Sequence, residues 1–166
     1  ISTGDPLDEH VKMGPMIRSA DAERVAAWIR LAVEGGARIA AGGDHTGNLH
    51  QPTVVADVAP GMRISCDELF GPAVAITRFD DLSQAIALAN DTVYGLAAGI
   101  FTGNLGWAMD FARRVQSGNL HVNWAPGWRA DLMPYGGLKE SGMGKEGPRY
   151  AIQEMSELKT VVLHLS

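Results

Sequence analysis

Glu68 and Phe70, two residues apart, form the first pairing whose types could do chemistry. A carboxylate accepts hydrogen bonds from both hydroxyls of a ribose, and a phenyl ring beside it offers a flat apolar surface. Taken alone, the two read as an exposed acid beside a core phenylalanine. Cys66 is the one thiol, but Asp67 and Glu68 follow it and no oxyanion-hole phrase surrounds it. It reads as a bystander rather than a nucleophile. Gly142-Met143-Gly144-Lys145-Glu146-Gly147 has the glycine spacing of a dinucleotide-binding turn, which requires an apolar strand before it. Leu138-Lys139-Glu140-Ser141 is no such strand, and Lys145 is followed by Glu146 rather than the Ser or Thr of a phosphate loop. These glycines therefore read as turn-formers, with Glu146 either functional or simply solvated. Trp124, Trp128 and Tyr135 share one glycine- and proline-rich stretch, where they either line the mouth of a pocket or pack as core. Arg129 among them can pair with a carboxylate or phosphonate on a small molecule, or form an ion pair with Asp131 or an acid of another subunit. His10, His45, His50, His121 and His164 show no ligand spacing, so no metal site is expected.

The elements that must position these groups alternate between helix and strand. Val25, Ile29, Ala32 and Val33 recur at helical spacing from Ser19, a candidate cap, to Gly35-Gly36. Arg38 to Ala41, Pro52 to Val58 and Ala73 to Phe79 read as extended segments, and Asp80-Asp81 opens a helix with Leu82, Ala85, Ile86 and Ala89 on its buried face. A strand at 97–102, a helix at 105–116 marked by Leu105, Ala108, Met109, Ala112 and Val115, and a strand at 119–123 make a compact unit. Such alternation indicates an α/β domain. Residues 124–148 are too long for an ordinary connection, and their aromatic content points to a packed, functional loop. Tyr150 to Met155 reads as a short helix and Leu158 to Leu165 as a final strand.

Composition removes several classes of partner. The net charge is −5 over 166 residues, with basic residues spread along the chain, which leaves no footprint for nucleic acid or an anionic membrane. No apolar run approaches the roughly 20 residues needed to cross a bilayer, and a single cysteine fits a reducing compartment. The sequence reads as soluble and cytoplasmic.

Separated phrases then coincide in one order: Gly4-Asp5-Pro6-Leu7, Met13-Gly14-Pro15-Met16-Ile17, Gly42-Gly43, Pro52-Thr53-Val54, Glu68-Leu69-Phe70-Gly71-Pro72 and Tyr94-Gly95-Leu96. Phe101-Thr102, Gly118-Asn119, Val122-Asn123, Pro134-Tyr135-Gly136-Gly137, Lys139, Ser141-Gly142 and Gly144-Lys145-Glu146-Gly147 continue it. Together they resemble the aldehyde dehydrogenase superfamily, over essentially the whole chain. Arg129-Ala130-Asp131-Leu132-Met133-Pro134-Tyr135 looks like the branch that handles lactaldehyde, phosphonoacetaldehyde and related small polar aldehydes.

The resemblance implies a C-terminal portion of the catalytic domain over residues 1–157, an open parallel sheet flanked by helices, and an oligomerisation strand over 158–166. It implies oxidation of an aldehyde to a carboxylic acid with NAD or NADP through a cysteine thioester. Glu68 and Phe70 would bear on the nicotinamide ribose, Trp128, Arg129 and Tyr135 on the substrate, and Glu146 on proton relay near the thioester. The family's nucleophile and dinucleotide-binding domain precede the Gly4-Asp5-Pro6 phrase, so this stretch alone is expected to be inactive. A homo-oligomer follows from the final strand. The alternative is a stand-alone, non-catalytic binding or assembly module with the same fold.

Overall fold

Apolar residues every three or four positions need a surface to lie on, and α1 (Ser19–Glu34) finds one by burying Ala22, Val25, Ala26, Trp28, Ile29 and Ala32. Val33 falls off this stripe and is exposed, because each residue turns the helix by about 100°. The expected Ser19 cap does not form: Ser19 is already helical, and the extended cap residue is Arg18. Arg18 instead reaches Asp21 at 3.0 Å. Gly36, at φ 105°, takes the chain out of the helix. The computed structural model describes residues 1–164, and the chain divides after Phe79 into two units.

In the first unit α1 is followed by β1 (Arg38–Ala41), a small antiparallel hairpin of β2 (His45–Thr46) and β3 (Leu49–His50), β4 (Thr53–Ala56), the short α2 (Arg63–Cys66) and β5 (Ala73–Ile76). Strands β1, β4 and β5 form one sheet, with β4 antiparallel to β1 and parallel to β5. Val25, Ile29 and Ala32 of α1 meet Val55, Val58, Ala37 and Ile64 in its core, with Met16, Met62 and Leu69 packed against them. Burying each larger aliphatic side chain here contributes about 1.5–3 kcal/mol.

The second unit begins with α3 (Leu82–Asn90), capped by the Asp81 carboxylate, which accepts from Gln84 N at 2.8 Å. There follow β6 (Tyr94–Gly95), β7 (Ala97–Ile100), α4 (Leu105–Arg114), β8 (Asn119–Val122), β9 (Leu138–Lys139) and α5 (Pro148–Glu154). Strands β7 and β8 are parallel and joined through α4, the unit expected from the sequence. Ile86, Phe111 and Val115 form its core with Leu82, Ala98, Ile100 and Leu120. The buried face of α4 runs through Ala108 and Phe111, whereas Leu105 and Met109 are exposed, as is Ala89 of α3. Strand β6 pairs antiparallel with β9, a contact between segments too short to carry a strand pattern.

The α/β class thus holds, with one parallel pair in each unit, β4–β5 and β7–β8, and further antiparallel pairing within each. The expected strand from Leu158 does not form over residues 158–164, and its end at Leu165 lies outside the described residues. Leu158, Val161, Val162 and Leu163 are exposed. A strand exists only with a neighbour to take its backbone groups, and none of the described residues supplies one.

An ion triad ties the sheet's edges together. Asp57, just past β4 at φ 57°, receives Arg78 Nε at 2.7 Å and Arg38 Nε at 2.9 Å. The Arg78 hydrogen bond, and then Arg38, hold its carboxyl below the usual carboxylate range. A depressed folded-state value means the stabilisation is present above the ordinary aspartate range and is lost as pH falls through the folded value. A carbon-13 titration should therefore place Asp57 below about 3.9, and Arg78→Gln should raise its midpoint. An unchanged midpoint in Arg78→Gln would show that the guanidinium is not the cause. Asp57→Asn tolerates the same left-handed backbone and should remove this part of the acid sensitivity.

Candidate functional site

The segment carrying Glu68 and Phe70 leaves α2 and is fastened to α1 by two arginines around Trp28. Arg63 lies over the Trp28 ring at 4.4 Å and pairs with Asp67 at 2.9 Å. Arg24 lies 5.3 Å from the same ring and donates to the carbonyl of Leu69 at 2.6 Å. A guanidinium stacked on indole retains its in-plane donors for such carbonyls. Phe70 has φ 48°, and its side chain is 76% exposed, so it is not the core residue that its type alone would indicate. It lines a cleft of about 450 Å³ with Met16, Ile17, Arg18, Arg24 and Gly71. Glu68 is exposed and takes part in no hydrogen bond or ion pair among the described residues. Both its oxygens are open to a diol. Cys66 is exposed at the end of α2, and Asp67 beside it is paired with Arg63.

In the second unit β8 delivers the chain to the long loop. Asn123, at φ 58°, holds the backbone of Thr102 through both amide atoms, at 2.8 and 3.0 Å. Beyond it, Trp128 meets His121 of β8 edge-on, with ring centroids 6.3 Å apart. Arg129 lies over the Tyr135 ring at 4.6 Å, and its Nη1 donates to Glu146 Oε2 at 2.9 Å. Tyr135 and Glu146 are themselves cross-strand neighbours, each donating its N–H to the other's carbonyl at 3.2 and 2.6 Å. Arg129, Tyr135 and Glu146 thus come together, with Trp128 adjoining in sequence. Glu68 and Phe70 belong to the first unit. Of the partners open to Arg129, the structure selects Glu146, not Asp131.

Four polar residues of the phrases quoted above hold this loop in place, a role that the sequence alone did not give them. Asn119, 5% exposed at the start of β8, donates to the carbonyls of Leu96 and Gly136 at 3.1 and 3.2 Å. Lys145 Nζ donates to the same Gly136 carbonyl at 3.0 Å, and Lys139 Nζ to Asn90 and Thr92 carbonyls at 2.8 and 2.9 Å. Ser141 Oγ accepts from Gly95 N at 2.9 Å. Their signal in the sequence was membership of those phrases, not a pattern of type or spacing.

The aldehyde dehydrogenase family model matches residues 1–161. The chain belongs to the aldehyde dehydrogenase family. It is 49% identical to a 3-sulfolactaldehyde dehydrogenase of Priestia aryabhattai over 98% of this chain and 34% of that protein. It is 42% identical to a lactaldehyde dehydrogenase of Methanococcus vannielii over 97% of this chain and 34% of that protein. Among solved structures, glyceraldehyde-3-phosphate dehydrogenase GapN of Methanocaldococcus jannaschii complexed with NADP superposes with a TM-score of 0.92 at 35% identity, covering 97% of this chain and 35% of that one. The chain therefore spans about a third of the length of the relatives it matches.

Within this aldehyde dehydrogenase chain, Gly118 shows how tightly the loop is seated. A Cβ at that position would collide with the Gly136 carbonyl, the acceptor shared by Asn119 and Lys145. Gly118→Ala should cost about 1–3 kcal/mol as an overpacked contact and speed hydrogen exchange across residues 130–147. Wild-type exchange in that segment would show that the Gly136 contact does not set the loop.

Proposed function

We propose that the chain is the C-terminal part of an NAD(P)-dependent aldehyde dehydrogenase that oxidises a small polar or anionic aldehyde to its carboxylic acid. The observation that carries this reading is the gathering of Arg129, Tyr135 and Glu146 on one loop edge. A guanidinium backed by an aromatic ring suits a sulfonate or carboxylate next to the reacting group. A 3-sulfolactaldehyde carries such a group, in keeping with the name of that relative, whereas a lactaldehyde has a methyl in its place. Glu146 is assigned to proton relay, and Trp128, Arg129 and Tyr135 to the substrate.

Glu68 and Phe70 are assigned to the nicotinamide ribose. The unengaged Glu68 carboxylate and the exposed Phe70 ring suit a diol and the sugar's apolar face, respectively. NAD or NADP would supply the hydride acceptor; these two residues would only bind and orient it. The thioester is assigned to a cysteine outside these 166 residues, because the family resemblance puts the nucleophile before the Gly4-Asp5-Pro6 phrase and no oxyanion-hole phrase surrounds Cys66 in the sequence.

No helix among the described residues is long and apolar enough to cross a membrane, and no group of metal-binding side chains occurs among them. The single cysteine suits a reducing compartment such as the cytoplasm, to which the enzyme is assigned. The exposed apolar residues from Leu158 to Leu163 support a homo-oligomer in which this segment pairs with another copy, residues 1–157 forming the catalytic portion.

The test is turnover by the full-length protein with 3-sulfolactaldehyde and lactaldehyde, each with NAD and NADP. Acid formation with stoichiometric reduced cofactor is expected; its absence with every pairing would remove the reading. Glu68→Gln should lower kcat/KM by about ten- to a hundredfold, the range for hydrogen bonds to a charged group. Cys66→Ser should retain activity.

A further inference from the structure

We propose that Glu146 occupies, in the substrate-free protein, the seat on Arg129 that the anionic group of the substrate takes, so that anion binding and release of Glu146 are one event. The inference rests on the reading of Arg129 as a substrate-binding group and adds a coupling between that group and Glu146. Arg129 engages Glu146 through Nη1 alone, and its Nε and Nη2 make no hydrogen bond among the described residues. Half of a fork suited to bidentate recognition is therefore unused. The ring of Tyr135 holds the guanidinium from one face and leaves its edge accessible.

The pair is also exchangeable. Its side chains are 43% and 64% exposed, and ion pairs in such positions are weak. The other ammonium groups of the loop, Lys139 and Lys145, are bound to backbone carbonyls, which a dissolved anion does not replace. Arg129 is thus the loop cation whose partner is another carboxylate, and an entering sulfonate or carboxylate substitutes for it charge for charge. The backbone bridge between Tyr135 and Glu146 keeps the Glu146 main chain beside the site. Only its side chain needs to rotate away, which frees the carboxylate on the same loop edge as the bound anion. An aldehyde without an anionic group leaves the pair intact, and discrimination between charged and neutral aldehydes follows from this exchange.

The experiment is a double-mutant cycle on the full-length protein, read by calorimetric binding of isethionate (2-hydroxyethanesulfonate) without NAD(P) or aldehyde. Its sulfonamide analogue is the neutral probe. Removing the competitor in Glu146→Gln should tighten isethionate binding about two- to fivefold, the range for an exposed ion pair, and leave the sulfonamide unaffected. Arg129→Gln should weaken isethionate binding about ten- to a hundredfold, and adding Glu146→Gln to it should change nothing further. If Arg129→Gln does not fold, Arg129→Lys, which keeps the charge without the fork, takes its place and should retain only part of the affinity. Unchanged or weaker binding in Glu146→Gln would overturn the proposal, as would a gain that persists without Arg129, since that is plain charge repulsion. No turnover is read, so a failed dehydrogenase assay and a failed cycle are separate results.

Discussion

The carbonyl of Gly136 accepts hydrogen bonds from Asn119 at the head of β8 and from Lys145 across the loop, and the close approach is open only because position 118 has no side chain. A loop of this length has a large conformational entropy to lose, and one shared acceptor limits that loss by fixing both of its arms to a strand. The backbone bridge of Tyr135 to Glu146 lies immediately beside this point, and the Arg129 ion pair rests on that bridge. The Arg129–Glu146 pairing therefore hangs on a backbone contact as much as on the two charged side chains.

The first unit solves the same problem with side chains. Trp28 of α1 is buried in the helix face, yet two guanidiniums lie within reach of its ring, and each also holds the segment leading to Phe70. Anchoring a presentation loop to the longest helix gives Glu68 and Phe70 a rigid base while leaving both side chains open to solvent. Glu68, Phe70, Arg129 and Glu146, the groups proposed for chemistry, are exposed, and buried side chains or backbone contacts set their position.

Periodicity made the regular elements legible. The stripe Val25, Ile29 and Ala32, the β-branched run around Val54 and the alternation from Ala97 to Asn123 each signal burial directly, and the helices and parallel strands formed where those signals stood. Short pairings such as β6 with β9 carry no pattern, because two residues cannot show a period. The face of α4 shifted toward Phe111, since several apolar residues surround that helix and tertiary packing chooses among them. The candidate site residues were proposed by type: a guanidinium between aromatics invites an anion. That Glu146 would be its partner was not, for the pairing depends on a turn that brings residues 17 positions apart to one edge. The final strand was legible as a pattern only, because pairing belongs to a neighbour as much as to the strand itself.

Phe70 stands in the left-handed region at φ 48°, a conformation that costs a side-chain-bearing residue about 1–2 kcal/mol. Its ring recovers none of this by burial, being mostly in solvent. Glycine would relieve the backbone at once. A bulky aromatic standing where the backbone alone favours the smallest residue is a built-in local cost to stability. Substitutions selected there for heat resistance alone would drift toward glycine.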